Sequence, residues 1–421
     1  MHIFARLKHA PLSLKAPLTV ILCIVISISG AVFVSYRVQE NELVNIKRTI
    51  LSDIVGKIQT DIDETAALAA SRAVMLATIP SIVEAFRKED REWLAEQLKT
   101  MFFKQKQKYF MSELQFHKAP ATTFLRIHKD GGYGEDLSGF RETVVLANKE
   151  KRPQKGLELG RAGLGIRGVV PISDADGHIG SMEFVFTMKN IINKYKSLTS
   201  SEIAVFIETK LFDDICTLIS VKSDSNNSAE AQSNIIGEYT HAESSNKEKI
   251  FSYINTSNLE KSSDEKITFP MLNKEHFGII FYPLNDFAGK NIGKITVVKS
   301  FEDLHIKFYK KILWEIINGI VRIIVLASAV FVVFNGLTLY PLIELVKRCK
   351  LMLHGKNVSL ADFAHQRNQL DTISHMIKEL HPTRTANDKY IAEESGMENT
   401  YTTKASEDDV MNYGFQNDVL L

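Results

Sequence analysis

The stretch from Arg161 to Gly168 spaces three glycines as Gly163-x-Gly165-x-x-Gly168, with Arg161 and Arg167 set among them. Dinucleotide-binding turns use this spacing: the glycines let the backbone approach a pyrophosphate, and the N-terminus of a following helix holds its charge. A helix must therefore come next. Here Val169, Val170 and Pro171 follow instead, and the turn signal Asp174-Ala175-Asp176-Gly177 comes after them. That order predicts a strand and a hairpin, so the glycines are expected to serve tight turns or close backbone approach at a sheet edge.

The arginines offer different chemistry. Arg126 and His128 alternate along one predicted strand and so share a face. With Arg161 and Arg167 they can frame a pocket for a small organic anion, because guanidinium presents a planar fork of donors to a carboxylate. Asp136, Glu158 and Glu183 are the acids in reach, and internal ion pairing competes for the same arginines. The candidate ligand-binding set is Arg126, His128, Asp136, Arg161, Arg167 and Glu183. His117, His128 and His178 match no metal-ligand spacing. No catalytic motif accompanies them, so neither enzymatic activity nor a cofactor is expected.

These residues need a sheet to position them. SELQFHK, TTFLRIHK, KGLELGR, GIRGVVPIS and GSMEFVFTM read as short strands between Gly, Pro and Asp turns. Ahead of them, from about Glu40, Leu43, Ile46, Ile50, Ile54 and Ile58 recur at helical spacing, and no proline interrupts before Pro80. Asp90 is a candidate N-cap for a further helix. The segment Pro171–Phe186 is echoed by Pro283–Lys299, each with a Gly turn, an Ile-Gly pair and an alternating strand. Two α+β modules follow from this echo, a distal one over about 60–195 and a proximal one over about 200–305.

The chain has 421 residues, 24% charged and 45% hydrophobic, with a net charge of +1 and no long single-sign block. Nucleic acid is therefore excluded as a partner. Residues 18–36 carry no charge and, as a helix, reach roughly 28 Å, enough to cross a bilayer's hydrocarbon core. Residues 320–340 form a second such stretch, whose lone charge, Arg322, lies near one end. Arg6, Lys8 and Lys15 precede the first span and Glu40 and Glu42 follow it, which places residues 1–17 in the cytoplasm and 37–312 outside. Only Cys216 falls in that outer region, so no disulfide forms within it.

The residues from Leu114 to Phe186 resemble the distal sensory module of double Cache receptors, which occur on bacterial chemoreceptors, sensor kinases and diguanylate cyclases. A fainter likeness extends over 40–312. The resemblance implies an α+β fold with a long N-terminal helix and two antiparallel-sheet modules, and a sensor of the inner membrane that binds a small ligand outside it. The family's amino-acid-binding pattern has no counterpart here, so the ligand's identity is not implied. Residues 341–381 resemble a HAMP linker: Pro341 follows the membrane span, Gly355 opens the connector, and Leu370-Asp371-x-Ile373-Ser374 stands where Asp-Glu-Ile-Gly is usual. Leu342, Leu345, Cys349 and Met352 form one seam, and Leu370, Ile373, Ile377 and Leu380 another. Such seams are buried when two chains pack as a parallel four-helix bundle, which predicts a homodimer. Residues 382–421 are polar and unpatterned and are expected to be disordered. No output domain is recognisable, so a separate cytoplasmic signalling partner is expected. The alternatives are a truncated receptor, or an envelope protein using the Cache fold to bind another protein.

Overall fold

The computed structural model describes residues 12–129, 131–216, 234–254, 259 and 264–353. Gly30–Asn318 forms one compact unit, and the described residues of Met1–Ser29 and Gly319–Leu421 group separately. Helix α1 runs without a break over Leu12–Ala77, 66 residues. Sequence reading placed a membrane span and an outer helix there. They are one element.

Helices α2 (Pro80–Arg87) and α3 (Arg91–Tyr109) follow. Asp90 caps α3 as expected, its carboxylate accepting from Trp93 N at 3.0 Å. The five expected distal strands form as β1 (Met111–Lys118), β2 (Thr122–Arg126), β3 (Gln154–Gly160), β4 (Gly163–Asp174) and β5 (Gly177–Phe186). They make one antiparallel sheet in the order β2-β1-β5-β4-β3. A helix that the alternation did not reveal, α4 (Glu142–Glu150), packs between β2 and β3 in sequence.

Helix α5 (Lys189–Thr199) leads to the proximal module. Its strands are β6 (Ser201–Glu208), β7 (Ile235–Ile236), β8 (Tyr239–Ser244), β9 (Lys266–Thr268), β10 (Met271–Leu272), β11 (Glu275–Asn285) and β12 (Asn291–Ser300). Short helices α6 (Thr209–Ile215) and α7 (Lys247–Tyr253) are interspersed. The sheet order is β10-β11-β12-β6-β8-β7, with β9 also on β11. The echoed sequence segments are the β4–β5 and β11–β12 hairpins, one in each module.

Helix α8 (Glu302–Val333) leaves β12 and is followed by a π-helical turn at Phe334–Leu339 and by α9 (Tyr340–Leu353). Pro341 lacks the N–H that the Leu337 carbonyl would receive in an α-helix, and Tyr340 N reaches back to Asn335 O instead. Both α1 and the α8–α9 run contain stretches long and apolar enough to cross a membrane. The first HAMP-like seam lies on α9. Gly355, the second seam and the tail 382–421 lie outside the described residues.

One face of α1 is buried against both sheets. Its lower part contributes Leu51, Ile54, Val55, Ile58 and Ile62, and its upper part Ala66, Ala69, Ala70, Ala73 and Ala77. The alanines shorten the distance to β4. At Gly168 a side chain would run into the backbone of Ala69 and Ala70, so only glycine admits the helix this close. Gly278 on β11 instead makes room for side chains, those of Leu51 on α1 and of Phe301. The third glycine of the dinucleotide-like pattern is thus a seat for α1.

Gly168→Val is expected to destabilise the protein by about 3 kcal/mol or more, since backbone cannot yield as a side chain can. Gly56→Ala, on the exposed side of α1 with open space around it, should stabilise it by about 0.5–1 kcal/mol. Chemical denaturation of the two variants beside wild type checks both signs.

Candidate functional site

Strand register gathers the polar residues. Arg126 on β2 sits opposite Gln115 on β1, and Gln115 sits opposite Glu183 on β5, making one row across three strands. Glu113 and His117 flank Gln115 at alternate positions of β1 and so share its face. Arg167 enters from β4, two residues from Val169, the partner of Glu183. Arg141 enters from the residue that precedes α4.

The inner part of this set is almost fully enclosed. Glu183 is inaccessible and Arg167 is 1% exposed. Arg141 donates from Nε to Glu158 at 2.7 Å and from its terminal nitrogens to Glu183. Arg167 lies within 3.5 Å of both Glu183 and Glu113. Glu158 also accepts from Thr143 N at 2.8 Å and Thr143 Oγ1 at 2.6 Å, at the positive end of α4. Space for the Arg167 guanidinium comes from Gly160 and Gly165, where a side chain would collide with it. Of the motif's remaining glycines, Gly165 helps make room for an arginine, and Gly163 takes a positive φ of 105° where β3 turns into β4.

The outer part is more open. Glu135 takes Arg126 on one oxygen at 2.5 Å and Arg161 on the other. The three side chains are 29%, 15% and 35% exposed, respectively. Glu135 belongs to a loop, 131–137, that runs beside β2 through Gly134 N to Thr123 O and Thr123 N to Glu135 O. Gln115 joins the two parts. Its oxygen accepts from Arg126 at 3.2 Å, and its nitrogen donates to Glu183 at 2.6 Å and to Glu113 at 2.7 Å.

Above these residues is a cavity of about 500 Å³, within the range of small-molecule sites. Arg126, His128, Arg161 and Arg167, four of the six expected residues, line it. Glu183 lies beneath, paired with two arginines. Asp136 is not part of the lining: its exposed carboxylate accepts from Ser138 N at 2.9 Å, the usual use of an aspartate in a turn. Sequence reading missed Glu113, Gln115, Glu135 and Arg141, which also line the cavity. Alternation along SELQFHK signals the first two. Nothing local signals Arg141.

Burial alone would push the Glu183 carboxyl up, but Arg141 and Arg167 outweigh it and hold it well below the usual carboxylate range. Burial also lowers His117, which keeps that ring neutral although Glu183 pulls the other way. Both depressions weaken the fold in acid. His117 contributes fully above its ordinary value of 6.5, and Glu183 above 4.5. Each contribution fades as pH falls through the group's lower folded value.

A tandem sensory domain is the class this layout defines: two antiparallel modules on one helix, a polar cavity in the distal one, and membrane-length helices at both ends. Residues 49–305 match the family model dCache_3, described as the double sensory domain of two-component sensor kinase, and the chain belongs to that family. Among solved structures it is similar to the ligand-binding domain of a Campylobacter jejuni chemoreceptor in complex with L-valine. That match has 12% identity, covers 62% of this chain and 96% of the other, and has a TM-score of 0.37. It is also similar to the ligand-binding domain of the Pseudomonas aeruginosa PAO1 amino-acid chemoreceptor PctC with GABA, at 14% identity, 61% and 98% coverage and a TM-score of 0.31. The sensor domain of the V. cholerae histidine kinase DctB matches at 10% identity, 59% and 95% coverage and a TM-score of 0.34. No curated protein sequence matches the chain.

Arg141→Ala removes the nearest counter-charge from two buried carboxylates and is expected to cost about 3–5 kcal/mol, against roughly 1 kcal/mol for the more exposed Arg126→Ala. Denaturant midpoints of the two variants read the difference. Wild-type stability should decline steadily from about pH 6.5 downwards, and the decline should be smaller in His117→Phe if that ring contributes as described. Thermal melts between pH 8 and pH 4 measure it.

Proposed function

We propose that the protein is a two-pass sensor of the bacterial inner membrane whose outer region, 37–312, binds a small organic anion in the distal cavity. The observation that carries this reading is the Arg126–Glu135–Arg161 arrangement. One partly exposed acid from a loop serves two arginines at the wall of a cavity of ligand size. A ligand carboxylate can take the place of Glu135 there, whereas displacing Glu183 would leave an enclosed charge unpaired.

The network gives binding a route to α1. Arg126 contacts Gln115, Gln115 contacts Glu183, and Glu183 contacts Arg167, whose neighbour Gly168 is the seat of α1. Exchange at Glu135 shifts the α1 equilibrium only if the ligand prefers one arrangement of that row. Signal then passes through the membrane helices to the HAMP-like segment, two chains pairing through its seams, and on to a separate cytoplasmic partner. The contact of Glu315 on α8 with Ser35 and Gln39 on α1, at 2.7 Å each, supports a coupled pair of helices at the membrane end of the outer region.

The test is thermal shift of the full chain in lipid nanodiscs against a panel of mono- and dicarboxylates. A stabilising compound should lose about 1–3 kcal/mol of binding in Arg126→Ala or Arg161→Ala, roughly fivefold to 150-fold in Kd. The same compound should bind more tightly to Glu135→Gln, which no longer competes. Unchanged affinity in all three variants rejects the site.

A further inference from the structure

At the far end of the outer region from the cavity, α1, β11 and α8 meet in a small basic cluster. His305 on α8 is stacked on His276 of β11, ring centroids 3.6 Å apart and planes 12° from parallel. His276 Nδ1 and its backbone N both contact one oxygen of Glu302, at 3.1 Å. His305 is 8% exposed, and neither of its ring nitrogens has a hydrogen-bond partner among the described residues. Lys47 of α1, 5% exposed, lies 5.2 Å from the Phe269 ring centroid, and no acid among the described residues pairs with it. The ring of Tyr309, one turn along α8, lies 6.1 Å from that of His305 with its plane tilted by 43°.

Of the three bases, Glu302 hydrogen-bonds only His276. With both imidazoles neutral, Lys47 and Glu302 balance. A proton on His305 adds a second enclosed cation beside Lys47, against a ring that Glu302 already engages. Such a cation has no acceptor where it stands. We propose that this cluster is a second input, a proton-sensing contact whose acidification loosens the packing of α8 against α1 and β11, independently of any ligand in the distal cavity.

The linkage has a definite sign. Burial, Lys47 and His276 push His305 down to about 4 in the packed arrangement, against Glu302, while a released imidazole regains its ordinary value of 6.5. Between those values a proton is bound only in the loosened arrangement, so its relative population rises about tenfold per pH unit as pH falls. At pH 5.5 the gain over pH 7.5 is about tenfold.

Hydrogen exchange of the full chain in nanodiscs tests this, with rates corrected for the intrinsic effect of pH and compared with the same segment of His305→Phe. Residues 302–316 should open about tenfold more at pH 5.5 than at pH 7.5. The ratio should vanish in His305→Phe, which can still stack, and shrink in Lys47→Met, which keeps both imidazoles but removes the opposing charge. Asp136→Asn, whose carboxylate serves a turn outside the cavity lining, should leave it unchanged. No pH effect at 302–316 in wild type, or the same ratio in His305→Phe, overturns the proposal.

Discussion

Enclosing the Arg167 guanidinium in the distal sheet constrains everything near it. A cation that deep is tolerable only with its counter-charges in place, which requires Glu183 on β5, Glu113 on β1 and Glu158 on β3 in fixed register. It also needs volume inside a sheet that is otherwise tightly packed, and Gly160 and Gly165 supply it. Slipping β4 by one residue would turn Arg167 to the opposite face and leave Glu183 with Arg141 alone. The ion pairs thus act less as a source of stability than as a specification of register, and the same register aligns Gly168 with α1.

That alignment explains why α1 changes character along its length. Against the proximal sheet it presents leucine and isoleucine, and Gly278 accommodates Leu51 and Phe301. Against the distal sheet it presents alanine, so that backbone meets backbone at Gly168. A contact without intervening flexible side chains transmits small displacements more faithfully, since close-packed interiors have little slack to absorb them. The tip of the proximal hairpin adds a second rigid link, with Phe287 N on Leu157 O at 2.8 Å and Gly156 leaving room for Phe287.

The fold was readable where the signal was periodic. Strands β1 to β5, the outer part of α1, the Asp90 cap and the paired hairpins all follow from alternation, helical spacing or turn chemistry. What escaped lacked such a signal. α1 merges a membrane span with a soluble helix, and composition changes there while backbone does not. α4 is nine residues long, too short for its period to stand out. At the site, alternation found Arg126 and His128, and the glycine pattern drew attention to Arg161 and Arg167. Arg141 was invisible because it arrives from a loop end, joined to Glu183 by a separation of 42 residues that only the folded chain closes. Asp136 falls outside the cavity lining, and a turn aspartate and a lining aspartate look alike until the backbone is placed.

The grading of exposure across the network bears on what the cavity can recognise. On the proposed reading, Arg141 and Arg167 are not recruited by a ligand, which would strand Glu183, and binding energy comes from the outer arginines, where water already screens the pair with Glu135. A second acidic group on the ligand would then meet Glu113 beneath, and the exposed Lys129 at the rim is screened by water. Discrimination in the rest of the cavity falls to the faces of Phe140 and Tyr133, over which the guanidinium groups of Arg161 and Arg91 already lie at 4.5 Å and 4.8 Å. Under the proposed reading, the cavity selects for one acid end and for the shape of what is attached to it, and a purely anionic ligand with charge at both ends fits it less well.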